Sequence, residues 1–254
     1  MNYQTIKVRL EGPVCYLQLY RPEAKNTIND CLVEECHQVL ELCKNSATIV
    51  VLEGLPEVFC FGADFQGIHN LRASGEQIVN NPEPLYDLWV KMATGPYITI
   101  SHIRGRVNAG GMGFVGASDI VIADQTAQFS LSELLFGLFP ACVLPFLVRR
   151  IGFQKAHYMT LMTQPISVQQ AHTWGMVDAY DAQSDLLLRR HLLRLKLLPQ
   201  NGVLRYKRYM SQLNDILVKS KQLAVAANQA IFADPQNLEW ICRFVEEGKF
   251  PWDQ

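Results

Sequence analysis

A chain of 254 residues can bury most of its apolar surface around one large core, so neither a metal nor a disulfide framework is needed to hold it. Apolar residues make up 49% and charged residues 19%, which excludes a disordered chain; 23 basic against 24 acidic residues, net −1, leave no basic stripe of the kind that nucleic acid requires. The opening MNYQTIKVRLEG lacks the apolar core of a secretory signal and no run approaches the roughly 20 apolar residues of a membrane span, so a cytoplasmic protein is expected.

Ile6 to Glu11 and Val14 to Leu19 flank Gly12-Pro13 and read as a hairpin. From Asn29 onward, Leu32, Val33, Cys36, Val39, Leu40 and Cys43 recur at helical spacing, and the β-rich run 48–52 follows them as a buried strand. A long loop holds Phe59-Cys-Phe-Gly-Ala-Asp64. Next come a helix carrying Leu85, Leu88, Trp89 and Met92, a strand over 97–103, a glycine turn at Gly110-Gly111 opening another helix, and a strand over 120–123. Strands separated by helical crossovers imply parallel pairing with right-handed connections. Ser167 caps a short helix that stops at Gly175, and Ser184 opens another rich in leucine. Segments 204–210, 216–232 and 238–247 all suit helices. The pattern predicts an α/β core over residues 1–195 and a helical C-terminal region over 196–254, with no linker between them.

Seven cysteines at 15, 31, 36, 43, 60, 142 and 242 show no CxxC spacing, and Cys36 and Cys43 simply continue a helix face. Six scattered histidines form no HxxxH or HExxH pair, so no metal site is expected. The chemistry lies elsewhere. Two glycine turns, Phe61-Gly-Ala-Asp64 and Asn108-Ala-Gly-Gly-Met112, each follow a strand, a setting that leaves backbone NH groups free to bind developing negative charge. A double glycine before a helix is more often a sign of tight packing than of catalysis. Neither turn has GxGxxG spacing or a P-loop lysine, so nucleotide binding has little support. Glu133, among the apolar residues of 127–140, is either a surface carboxylate on a turn or a desolvated acid/base with a raised pKa.

Taken together, Arg21-Pro-Glu-Ala-Lys-Asn26, the 59–64 loop, the segment 105–120 ending in Ser-Asp-Ile, Gln128-Phe-Ser-Leu-Ser-Glu133, Gly175-Met-Val177 and the closing 244–251 stretch resemble, in order and near the expected spacing, the enoyl-CoA hydratase/isomerase (crotonase) superfamily. The resemblance covers nearly the whole chain. It implies a crotonase-like spiral of ββα/βαβ turns with a helical C-terminal trimerisation region, giving a homotrimer or a dimer of trimers. It also implies that the NH groups of Ala63 and Gly110 form an oxyanion hole for a thioester carbonyl, and that Ala24 and Lys25 lie near the nucleotide end of CoA. Family hydratases carry two catalytic glutamates; Glu133 falls on the second, and the first falls on Gly113, which has no side chain. Simple hydration of a straight-chain enoyl-CoA is thereby put in doubt.

Within the superfamily, stretches 95–103 and 131–150 look like the dehydratases of polyketide β-branching cassettes. That likeness implies dehydration of 3-hydroxy-3-methylglutaryl-acyl carrier protein to 3-methylglutaconyl-acyl carrier protein during antibiotic biosynthesis, with Glu133 as both base and acid. No cofactor is implied beyond the phosphopantetheine, on carrier protein or CoA, that carries the substrate. The substrate's second carboxylate must be paired or solvated on entering an apolar pocket, and Tyr86, Lys91, Arg104 and Arg106 are candidates, although a solvated helix face also explains Lys91. Lys25 could meet a carrier protein's phosphate or acidic surface, or be an ordinary loop lysine. Two other readings stay open: a hydratase or isomerase of free acyl-CoA, and a non-catalytic carrier-protein-binding relative.

Overall fold

The computed structural model describes residues 3–75 and 81–253. The hairpin forms as its alternation predicts: β1 (Ile6–Glu11) pairs antiparallel with β2 (Val14–Leu19), Leu10 opposite Cys15. Asn29 then caps α1 (Asp30–Ser46) by accepting the Leu32 amide at 3.0 Å, and α1 returns the chain to β3 (Ile49–Glu53), which pairs parallel with β2.

Each later turn repeats one scheme. A strand of the large sheet runs into a three-residue strand of a small sheet, and a loop and helix close the turn. After β3 come β4 (Val58–Cys60), α2 (Phe65–Ala73) and α3 (Glu83–Thr94); after β5 (Ile98–Ile103) come β6 (Arg106–Asn108) and α4 (Gly111–Ala117); after β7 (Ile120–Asp124) comes β8 (Gln128–Ser130). Then follow α5 (Leu144–Ile151), α6 (Phe153–Met162), β9 (Ile166–Ser167), α7 (Val168–Thr173) and β10 (Ala179–Asp181). The large sheet has the order β1-β2-β3-β5-β7-β10 and the small one β4-β6-β8-β9. Around β8, only β9 runs antiparallel.

The large sheet is covered on both faces, which is why β5 is buried at every residue. One face packs against α1, α3, α4 and α5 in the main core. The other carries Val14, Ile49, Val51, Ile98, Ile100 and Ile122 against Leu188 and Leu192 of α8 (Ser184–Leu195) and Val203 of α9 (Gln200–Leu213). Buried His102 of β5 lies between Glu53 Oε1 (3.2 Å) and Ser184 Oγ (3.0 Å), and since Ser184 is itself shut away from solvent, the trio fixes α8 to the sheet.

The chain closes with α10 (Ile216–Lys219), α11 (Lys221–Ala233) and α12 (Pro235–Glu247). The single helix expected over 216–232 is broken at Ser220. A separate aromatic cluster joins α12 to the loop after β8: Phe136 and Leu138 pack with Ile241, Phe65, Phe244 and Phe250. This cluster sets where the turn bearing Glu133 stands. Cys15, Cys36, Cys43, Cys60 and Cys142 are buried, Cys31 and Cys242 are partly buried, and all seven are free thiols. No helix among the described residues is long and apolar enough to cross a membrane.

Candidate active site

Three consecutive parallel strands of the small sheet deliver the site. Ala63 follows β4, Gly110 follows β6 and Glu133 follows β8, so the parallel register of β4, β6 and β8 brings residues far apart in sequence to one edge. The first two turns touch. A Cβ placed on Gly110 would stand 3.6 Å from Gly62 Cα and 3.9 Å from the Ala63 nitrogen. Gly62 has φ +89°, and a side chain there would meet the Ala109 methyl at 2.6 Å and the Gly110 nitrogen at 3.0 Å, so only glycine allows this approach. Among the described residues neither the Ala63 nor the Gly110 amide donates a hydrogen bond. The result is two unpaired NH groups on neighbouring turns, one at the N-terminus of α4.

Side-chain bonds hold the turns in place. Asn26, wholly buried, donates to the carbonyls of Leu19 and Phe59 at 3.0 Å each and accepts the Arg21 amide at 2.7 Å. Arg21 pairs with Asp64 at 2.9 Å, and Asp64 caps α2 by accepting the Gly67 amide. Lys25, exposed, with φ +51°, holds its Nζ 5.7 Å from the centre of the Phe61 ring, so Ala24 and Lys25 border the same turn as Ala63.

Glu133 begins the short 3₁₀ turn Glu133–Phe136. Asn108 Nδ2 donates to Ser132 Oγ at 2.9 Å, Ser130 Oγ to Asn108 Oδ1 at 2.8 Å, and the Ala109 amide to the Ser130 carbonyl at 3.1 Å. These bonds fix the Glu133 turn against the Gly110 turn. Glu133 Oε2 is fully buried with no hydrogen-bond partner among the described residues. Burial pushes its pKa up to about 7, against weaker opposition from the nearby amides of Glu133 and Ser132. Of the two environments the sequence allowed, the desolvated one is found.

Four candidates for the substrate's second carboxylate are placed elsewhere. Tyr86 is wholly buried, donating to the Leu217 carbonyl at 2.7 Å and packing on Phe146, because an amphipathic α3 turns that face inward. Lys91 reaches Glu41 on the outside of α1 at 3.3 Å. Arg104 stands 4.0 Å from Glu53 beyond the end of the large sheet. Arg106 is exposed at the start of β6, beside Val58 and Gln128, whereas the unpaired amides lie past the other end of these strands.

The sequence profile of the enoyl-CoA hydratase/isomerase family matches residues 9–254. The chain belongs to the enoyl-CoA hydratase/isomerase family. It is 64% identical, over all of its length and 98% of the relative's, to the bacillaene synthase dehydratase PksH of Bacillus subtilis (strain 168). The crystal structure of a polyketide-biosynthesis enoyl-CoA hydratase (PksH) from Bacillus subtilis superposes with a TM-score of 0.97, covering 98% of this chain and 100% of that one. A family structure from Xanthobacter autotrophicus Py2, 20% identical, covers 97% of this chain and 95% of its own with a TM-score of 0.85, a likeness of fold.

The absence of a side chain at residue 113 is matched by the packing around it. A Cβ on Gly113 would lie 2.3 Å from Cζ2 and 2.4 Å from Cε2 of Trp89. Trp89, from α3, fills the space that a residue-113 side chain would need. Gly113→Ala is therefore expected to destabilise the fold by about 1–3 kcal/mol through overpacking, a fall in Tm of about 2–12 °C, and Gly113→Glu by more. Scanning calorimetry checks this; an unchanged Tm for Gly113→Ala would show that the indole yields freely. Trp89 could not be assigned from sequence, where it reads as one more apolar residue on a helix face.

Proposed function

We propose that this hydro-lyase dehydrates 3-hydroxy-3-methylglutaryl-acyl carrier protein to 3-methylglutaconyl-acyl carrier protein in polyketide β-branching. The observation that carries the reading is a buried carboxyl oxygen of Glu133 that has no partner among the described residues, beside two unpaired backbone amides, with no side chain at residue 113. Whole-length similarity to a bacillaene synthase dehydratase supports the same step.

In the proposed mechanism the thioester oxygen accepts hydrogen bonds from Ala63 and Gly110. Ionised Glu133 removes the C2 proton, and the electron pair moves onto that oxygen as an enolate. The enolate then expels the C3 hydroxyl, which takes the same proton back from Glu133 and leaves as water. One carboxylate suffices because it is regenerated as a carboxylate, and the tertiary C3 eases departure. Two backbone donors, each worth roughly 2.7–4 kcal/mol in such sites, stabilise the intermediate.

Ala24 and Lys25 border the thioester end, where the phosphopantetheine arm would lie, and exposed Lys25 is offered as its phosphate contact. Exposed Leu193, Tyr206, Tyr209, Leu213 and Leu223 on α8, α9 and α11, with Leu197 in the turn between α8 and α9, supply an apolar surface for the homotrimer or dimer of trimers. The reading is tested by loading 3-hydroxy-3-methylglutaryl on carrier protein and on CoA and following loss of water by mass. Water loss from the carrier-bound substrate, slowed by raised salt, is the expected result. Loss from the CoA ester alone would favour a free acyl-CoA enzyme instead.

A further inference from the structure

We infer that the Trp89 indole NH is the second polar group of the site, donating a hydrogen bond to the C3 oxygen of the substrate from the place where a residue-113 carboxylate would stand. The inference rests on the dehydration reading above. Trp89 is 1% exposed, and its Nε1 is buried without a partner among the described residues. A buried indole NH ordinarily finds an acceptor, since leaving it unmet is costly.

Two edge-to-face contacts hold the ring, with Phe114 at 5.8 Å and Phe146 at 5.6 Å between centroids, so the donor is fixed in place. Its position follows from Gly113. Three ring carbons, Cζ2 at 2.3 Å, Cε2 at 2.4 Å and Cη2 at 2.5 Å, would crowd a residue-113 Cβ, and Cε2 is the one to which Nε1 is bonded. Gly113 stands one helical turn from Gly110, its amide bonded to the Gly110 carbonyl at 3.0 Å, and residues three apart share a helix face. The indole NH therefore belongs to the same end of α4 as the unpaired Gly110 amide.

Glu133 Oε2 and Trp89 Nε1 are thus two buried, unpartnered polar atoms of complementary kind: a carboxylate oxygen and a donor that can neither accept nor release a proton. A hydroxyl matches both. It has a proton to give and lone pairs to receive, so it can face Glu133 while accepting from the indole. The bond strengthens as negative charge gathers on the departing oxygen. Trp89 would orient the hydroxyl and leave both proton transfers to Glu133, and it would select acyl groups that carry an acceptor at C3.

The test replaces Trp89 by benzothienylalanine, which keeps the ring shape and exchanges the NH for sulfur, with Trp89→Phe alongside. Two reactions are followed: water loss from 3-hydroxy-3-methylglutaryl-acyl carrier protein, and exchange of the C2 hydrogen for deuterium in a 3-methylglutaryl thioester that lacks the hydroxyl. The expected result for the benzothienyl variant is a water-loss rate roughly tenfold lower, with C2 exchange and Tm unchanged. Equal water loss in the variant and the wild type would overturn the inference, as would a parallel fall in both reactions, which marks Trp89 as packing alone. Failure of the wild-type enzyme to release water at all would sink the dehydration reading itself, a separate outcome.

Discussion

Glu133→Gln is expected to slow water release by roughly a hundredfold to ten-thousandfold, the range for loss of a general acid–base group, while the protein stays folded. The side chain keeps its size, and the Asn108, Ser130 and Ser132 bonds that hold the turn do not involve the carboxyl. With a pKa near 7, wild-type kcat/KM should rise with pH and level off above about 7, because the base acts ionised. Stability should run the other way. The folded pKa lies above the ordinary carboxyl value of 4.5, so the native state holds the proton more tightly, and stability falls as pH climbs from about 4.5 to 7. The Gln variant should lose both the rate rise and that slope. Turnover of Glu133→Gln within a few-fold of wild type would remove Glu133 from the chemistry.

Lys207→Ala should lower Tm by about 3–12 °C, from a loss of about 1.5–3 kcal/mol for removing a buried ammonium from its hydrogen-bond acceptors. Lys207 of α9 is 5% exposed, and its three donors are all used: Asp119 Oδ2 at 2.6 Å, the Tyr97 carbonyl at 2.8 Å and the Met92 carbonyl at 3.1 Å. Burial pushes its pKa down, and Asp119 pulls it back up. Asp119 also accepts from the Thr99 amide and hydroxyl, so one ammonium ties the helical C-terminal region to β5, α3 and the turn after α4. Removing it leaves two carbonyls and a carboxylate oxygen short of a donor inside the protein. A Tm within about 2 °C of wild type would mean that water replaces the ammonium without loss.

Long periodic segments were legible from the residues. The hairpin, α1 with its Asn29 cap, α3, α7 with its Ser167 cap and α8 follow from apolar spacing and, in α1 and α7, from capping chemistry, while α4 follows from its glycine turn; Ser184 does not cap α8, because its hydroxyl is taken by His102. The small sheet was not, since β4, β6 and β8 have three residues each and a period of two cannot show itself in three positions. It is the small sheet that aligns Ala63, Gly110 and Glu133. Both glycine turns and Glu133 stand out in the sequence as candidates, but only the family resemblance joins the Ala63 and Gly110 amides to Glu133 as one site, and the surroundings of Glu133 depend on α12 and the aromatic cluster. Tyr86 and Trp89 show the opposite difficulty. Three residues apart on one helix, both look like core, yet one spends its polar atom on Leu217 and the other keeps it free.

Neighbouring strands in a sheet are spaced about 4.8 Å apart whatever their side chains. With Ala63, Gly110 and Glu133 standing beyond β4, β6 and β8 in that order, the small sheet spaces the three like marks on a ruler, which the proposed function lays crosswise to the acyl chain. On the proposed reading its first interval measures out the carbonyl and its second the carbons where bonds change. A ruler made of main chain keeps its spacing so long as the residues at its ends allow the close approach that Gly62 permits. On the same reading, what stands at residue 113 and beside it, here glycine and the Trp89 indole, sets the group that meets C3 without moving the amides proposed to grip the thioester.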